Sequence, residues 1–215
     1  MAVSAPTIRE HAFDWRGKPG VRHATVGLVV HHTAEAAGSW DAARIHRHHR
    51  DSNGWAGIGY HYVALPDGTL ERGRPEAWIG AHAPGANATH LAVCLPGEFS
   101  GPRRPTEAQL ATTAHLWAWL SECYGWGFHD RSLTGHRDYN PTACPGDNLY
   151  ALLGSIRERG RELAEGTGRA VVEWPGIEPI EYAMVGEKAY VSLRELAEKL
   201  GHRVDVSGWP TIRVV

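Results

Sequence analysis

From Val26 to His32 the chain reads Val-Gly-Leu-Val-Val-His-His, apolar or glycine at every position before the two histidines. A strand with one wet face alternates apolar and polar side chains. A run that stays apolar suits a strand covered on both faces, as in the middle of a sheet packed between helices. Side chains alternate along a strand, so His31 and His32 point to opposite sides and only one of them can serve a given site.

The rest of the main segment supplies partners for such a strand. Gly57 to Leu65, the turn Pro66-Asp67-Gly68 and Thr69 to Arg72 read as a hairpin, because Pro-Asp-Gly fixes a tight turn between two β-prone runs. Trp78 to Asn87 is a Gly- and Ala-rich loop, followed by a strand from His90 to Leu95. Pro105 and Thr106 open a helix in which Gln109 completes a capping box and Leu110, Ala114, Trp117 and Leu120 share one face. Asp147 is expected to cap a last helix with Leu149, Leu152, Leu153, Ile156 and Leu163 as its apolar stripe. Ser39 is expected to cap a helix to about Arg50, whose His46, His48 and His49 sit in a polar run and read as a solvated face. Strand, helix and strand in succession predict an α/β sandwich. Residues 1 to 25, with Pro6, Gly17, Pro19 and Gly20, read as an irregular arm that packs through Trp15.

The composition changes at Gly166-Thr167-Gly168. We expect a main domain over 1–165, a linker over 166–170 and a small α+β domain over 171–215. In the last of these, Tyr182 to Val185, Lys188 to Val191, His202 to Val206 and Thr211 to Val214 read as strands. A helix between them starts at the Ser192 and Glu195 capping box, carries Leu193, Leu196, Ala197 and Leu200, and stops at Gly201. A ββαββ unit of about 45 residues has little core of its own, so it is expected to dock on the main domain or on a second copy, making a homodimer.

Of 215 residues, 42% are hydrophobic and 21% charged, as in ordinary globular proteins. The net charge of -2 offers no basic field for nucleic acid. No apolar run reaches the ~20 residues of a membrane span. The N-terminus has neither a basic start nor an apolar core, so synthesis in a cytoplasm without a secretory signal is expected. Cys94, Cys123 and Cys144 are an odd number and give no disulfide framework; Cys94 and Cys123 are expected as buried thiols.

The segment Gly135-His136-Arg137-Asp138-Tyr139-Asn140-Pro141-Thr142-Ala143-Cys144-Pro145-Gly146 sets an imidazole and a thiol on either side of an Asn-Pro turn. For one histidine and one cysteine alone, a buried thiol beside a hydrogen-bonded histidine is the better reading. The His31-His32 pair turns it toward a metal site, because zinc takes N and S donors and catalytic sites use three of them. Cys144 precedes Pro145, Gly146 and a helix, where the helix dipole is expected to favour thiolate.

Taken with Gly59-Tyr60-His61-Tyr62 and Gly80-Ala81-His82-Ala83, the two histidine-bearing segments resemble the type 2 N-acetylmuramoyl-L-alanine amidases, the family of phage lysozyme-like amidases and peptidoglycan recognition proteins. The resemblance covers about residues 20 to 155 in the same order. It implies a mixed central β-sheet flanked by helices and a groove with zinc at its floor that takes the peptidoglycan stem peptide and muramic acid. It implies His31, His136 and Cys144 as zinc ligands, Tyr60 as a catalytic phenol assisted by Thr142, and His82 and Asn87 as substrate-binding residues of the groove. Some family members carry lysine where this chain has Thr142, which supplies no positive charge. A phage endolysin acting at the cell wall after release fits best; a non-catalytic recognition module and a cytosolic wall-recycling amidase are the alternatives. The tail is similar to small stalk-type repeats of bacterial surface proteins, through Ala189 to Ala197 and Leu200-Gly201-His202, and is expected to bind wall or self-associate.

Overall fold

In the computed structural model, residues 3–35 and 40–165 are described in full, and beyond them the backbone of five strands. In chain order the elements are β1 (Ile8–Arg9), β2 (Gly27–His32), α1 (Ala42–Arg47), β3 (Tyr62–Ala64), β4 (Leu70–Arg72), β5 (His90–Leu95), α2 (Glu107–Tyr124), β6 (Leu133–Gly135), α3 (Asp147–Tyr150) and α4 (Leu153–Glu165). Their strands form one mixed sheet in the order β1-β4-β3-β5-β2-β6, antiparallel only between β3 and β4. β2 lies between β5 and β6, and all six of its residues are buried.

The two faces of β2 meet different surroundings. Leu28 and Val30 join Leu91, Val93 and Leu95 of β5 in the main core, which α2 and α4 close with Leu110, Trp117, Leu120, Leu153 and Ile156. Val29 faces the other way, against Ala83, Ala86 and Tyr139. His31 shares that second face and His32 the first. α2 begins as its sequence requires: Thr106 Oγ1 accepts from Gln109 N at 3.1 Å, and Gln109 Oε1 accepts from Thr106 N at 3.1 Å. The β3–β4 hairpin turns through Pro66-Asp67-Gly68, with Asp67 Oδ1 accepting from Thr69 N at 2.9 Å.

Several elements differ from the sequence expectation. The arm is not wholly irregular, since Ile8 and Arg9 add a short parallel edge strand to β4, while Trp15 packs edge-on against Phe13, His46 and Trp78. Ser39 lies outside the described residues, and Asp41 caps α1 by accepting from Arg44 N. After Arg47 the helix widens into a π turn over His48–Ser52. His46 and His49 are buried, not solvated: His46 Nδ1 accepts from Ile58 N at 3.3 Å and His49 Nδ1 from Gly59 N at 3.0 Å. These rings pay for burial by taking up backbone donors on the approach to β3. Asp147 is the first residue of α3, not its cap, and the expected last helix is broken into α3 and α4; Leu163 is exposed. Cys94 is buried as expected but Cys123 is exposed, and all three cysteines are free.

Residues from Glu162 onward form a second compact unit. It contains an antiparallel sheet of β7 (Arg169–Trp174), β8 (Ile177–Val185) and β9 (Lys188–Tyr190), and a pair, β10 (Val204–Asp205) with β11 (Arg213–Val214). The Gly166-Thr167-Gly168 linker and the Ser192-to-Leu200 helix expected from sequence lie outside the described residues. Among the described residues no helix is long and apolar enough to cross a membrane.

Two glycines of α4 test this packing with opposite signs. Alanine ordinarily stabilises a helix by about 1 kcal/mol over glycine. A Cβ on Gly154 would meet nothing within 4 Å, whereas one on Gly160 would stand 2.7 Å from Cζ3 of the buried Trp117. Gly154→Ala should therefore raise the urea midpoint, and Gly160→Ala should lower it despite its better helix propensity. Equal shifts for the two variants would mean that α4 does not press on Trp117 as described.

Candidate metal centre

The register between β2 and β6 assembles the site. Val30 pairs with Gly135, so one step further along two parallel strands His31 and His136 stand side by side, with ring centroids 4.6 Å apart. His136 opens a single 3-10 turn to Asp138. Asp138 pins that turn by accepting from Gly135 N at 2.7 Å and from the Tyr150 hydroxyl at 2.5 Å. Cys144 is tied to the same turn, because Arg137 N donates to Cys144 O at 3.0 Å and the Arg137 guanidinium reaches Ala143 O at 2.5 Å and Asp147 Oδ1 at 2.7 Å. His32 N donates to Cys144 Sγ at 3.4 Å.

Among the described residues, His31, His136 and Cys144 bring one donor atom each to within 4.8 Å of one another, a group that can hold a metal ion. Cys144 Sγ lies 3.7 Å from His31 Nδ1. Zn–N and Zn–S bonds of about 2.0–2.1 and 2.3 Å give donor-to-donor edges of about 3.3–3.7 Å, so the donor types and the Cys144–His31 separation fit zinc. His136 presents a defined atom. Asn140 Nδ2 donates to Pro84 O at 3.2 Å, which turns Oδ1 toward His136 Nε2 at 3.1 Å. That oxygen can only accept, so Nε2 carries the proton and Nδ1 is bare.

Electrostatics keep the imidazoles neutral, the form that ligates. Burial, then the neighbouring His82 and His136 rings, drive His31 well below the usual histidine range; burial also lowers His136, against the Asn140 bond. The expected thiolate is not favoured by the protein alone. Burial pushes Cys144 up to about 11, opposed only in part by His32 N–H and Arg137. The helix that follows is four residues long and starts at Asp147, too short and too far along the chain to offset that burial. A bound cation would supply the missing counter-charge and displace the thiol proton.

The other sequence candidates fall in distinct places. His32 is on the opposite face from His31, as alternation requires; its Nδ1 accepts from Phe99 N at 3.3 Å. The Tyr60 ring lies 5.0 Å from His31, and burial holds its phenol protonated, next to Cys94 and Cys144. Thr142 Oγ1 accepts from Cys144 N at 3.2 Å, steadying the loop. His82 and Asn87 were expected to line a groove; the polar contacts of the His82 ring and of Asn87 Oδ1 are to the protein itself. His82 is buried, with Nδ1 3.1 Å from His31 Nε2, and burial takes it down to about 3. Asn87 Oδ1 accepts from His82 N and Ala83 N at 2.7 and 2.8 Å. Asn140 and Arg137 were not foreseen as supports, although Asn140 stands four residues after His136, a spacing that reaches back over one turn. A cavity of about 660 Å3 beside Tyr139, lined also by Val26, His90, Trp126 and Arg131, includes none of the three donors.

Residues 22–147 match the family described as N-acetylmuramoyl-L-alanine amidase (Amidase_2). A human N-acetylmuramoyl-L-alanine amidase is 36% identical over 157 residues, covering 69% of this chain and 27% of the human protein. The Klebsiella phage KP32 endolysin is 33% identical over 132 residues, covering 60% of this chain and 85% of its own length. Among solved structures, the endolysin amidase LysCS of Clostridium intestinale superposes with a TM-score of 0.64 at 30% identity, covering 72% of this chain and 97% of that one. The chain spans only 26% to 29% of the length of the vertebrate relatives it matches.

Metal analysis of dialysed variants checks the donor set. His31→Ala, His136→Ala and Cys144→Ser should each lose stoichiometric metal, and His32→Ala should keep it. Loss in His32→Ala with retention in His31→Ala would put the site on the wrong face of β2.

Proposed function

This chain belongs to the N-acetylmuramoyl-L-alanine amidase family, and on that premise we propose that it is a zinc hydrolase cleaving the amide between N-acetylmuramic acid and L-alanine in peptidoglycan. The observation that carries the proposal is the donor set: two neutral imidazoles and one thiol converge from β2, the turn after β6 and the loop before α3. Three protein donors, where structural zinc takes four, are the set that catalytic zinc sites use. Zinc held by His31, His136 and Cys144 would supply Lewis acidity toward a carbonyl and toward water at neutral pH.

The chain's own residues do the rest. A phenol is protonated at neutral pH, and burial pushes Tyr60 higher still; its hydroxyl, which hydrogen-bonds Cys94 in the structure, is on this reading the donor to the oxygen that gains negative charge as the amide carbon becomes tetrahedral. Thr142, half-exposed beside Cys144, accepts from the backbone and keeps its own O–H to donate toward the same region. Arg137 is committed to Ala143 and Asp147 and steadies the Cys144 loop instead of meeting substrate. The thiol in the donor set also favours an enzyme over a module that only binds wall fragments, since binding alone needs no metal ligand of that kind.

Similarity along 85% of a phage endolysin supports action at the bacterial cell wall after release, in place of fragment recycling in a cytoplasm. On this reading the unit beyond Glu162 tethers the enzyme to an insoluble polymer, with self-association as the competing role. Tethering raises local concentration and leaves a small soluble substrate unaffected.

Digestion of purified peptidoglycan should release new L-alanine amino termini without new reducing sugars; new reducing ends would indicate a glycosidase and end the proposal. Loss of one oxyanion donor typically costs about 2.7–4 kcal/mol, so Tyr60→Phe should keep zinc and turn over at least tenfold slower, and a native rate would remove Tyr60 from the chemistry. A chain ending at Gly166 should hydrolyse a soluble muropeptide at the full-length rate but sediment less with intact walls. Unchanged sedimentation together with a shift from dimer to monomer would make the second unit a dimerisation element.

A further inference from the structure

The loop Gly80-Ala81-His82 and the ring it delivers have no part in the chemistry above, yet they are built with some care. His82 is 7% exposed and its ring touches His31 on one side and the backbone of β5 on the other. Its Nε2 lies 3.3 Å from the carbonyl oxygen of His90. A carbonyl only accepts, so His82 Nε2 carries the ring's proton, and in the neutral ring Nδ1 is then bare. That bare nitrogen is 3.1 Å from His31 Nε2. For a hydrogen bond to exist between them, His31 must carry its own proton on Nε2, which leaves His31 Nδ1 bare. Nδ1 is the atom that stands 3.7 Å from Cys144 Sγ.

We propose that His82 is a positioning residue that selects the tautomer of His31, holding its proton on Nε2 so that Nδ1 is a permanent lone pair for the metal. The proposal rests on the metal-binding reading of the centre and adds to it a residue that touches neither metal nor substrate. Two neighbours fit this role. A Cβ on Gly80 would stand 2.8 Å from His82 Nε2, so glycine there is what lets the ring lie flat against the loop. Asn87 Oδ1 gathers the N–H groups of His82 and Ala83, fixing the backbone from which the ring projects. The chain thus prepares both imidazole ligands alike, by a side-chain acceptor at Nε2 that is itself oriented by a backbone carbonyl: His82 and His90 O for His31, Asn140 and Pro84 O for His136.

The test needs no substrate. In metal-free, full-length protein, long-range 1H–15N correlation of the imidazoles, with His31 assigned by its loss in His31→Ala, should show the His31 proton on Nε2. Zinc affinity from competition with a chromophoric chelator should fall about 10- to 100-fold in His82→Phe, the usual cost of losing such an outer partner. His82→Gln, whose amide oxygen can accept from His31, should recover most of that loss, and Gly80→Ala should lower affinity in the same direction as His82→Phe. A His31 proton found on Nδ1 in the wild type, or wild-type zinc affinity in a folded His82→Phe, would overturn the proposal. Because the readouts are tautomer and affinity, inactivity toward peptidoglycan would count against the proposed reaction and leave this inference standing.

Discussion

Parallel pairing of β2 with β6 is the constraint on which the site depends. It fixes which residue of the second strand follows Gly135 into the space beside His31, and the residue there, His136, is one that can ligate a metal. Everything around that pairing serves to hold it. β5 closes the other edge of β2, the α2 and α4 side chains seal one face, and Asp138 and Arg137 tie the turn after β6 to the Cys144 loop. A slip of one residue would exchange the faces of β2, placing His32 at the site and His31 in the apolar core.

A second theme is the number of histidines buried without charge. His31, His46, His49, His61 and His82 are all buried, and all are driven below the ordinary histidine range, chiefly by burial. A neutral imidazole has one donor and one acceptor, so each can satisfy a backbone group and still offer a second contact. His61 does so with Ala92 N and Trp78 O, and His46 with Ile58 N and Asp14 O. The same economy at His31 and His136 leaves a lone pair for a metal. The site is therefore a specialised instance of a pattern of buried neutral histidines.

Much of this was legible in the sequence because it depends on short-range rules. The unbroken apolar run of β2, alternation at His31 and His32, the Pro-Asp-Gly turn and the Thr106–Gln109 capping box each carry their own signal, and each appears where expected. The donor triad was readable from motif resemblance, and the structure brings the three together. What could not be read depends on contacts distant in sequence. The polar run around His46 and His49 looks solvated until Phe13, Trp15 and the approach to β3 close over it. The Cys144 thiol seemed favoured by a helix start, and only its burial shows that the protein alone disfavours the anion. For His82 and Asn87, loop position says nothing about which way a side chain turns, so their contacts with His31 and with the loop's own backbone could not be read.

X-ray absorption at the zinc edge of the loaded protein tests the central claim most directly, since it reads donor type and distance without any substitution. The account predicts two imidazole nitrogens at about 2.0–2.1 Å, one sulfur at about 2.3 Å and one further light atom. A zinc shell without sulfur, or one with more than one sulfur, would contradict the assignment of His31, His136 and Cys144 as the protein's metal donors.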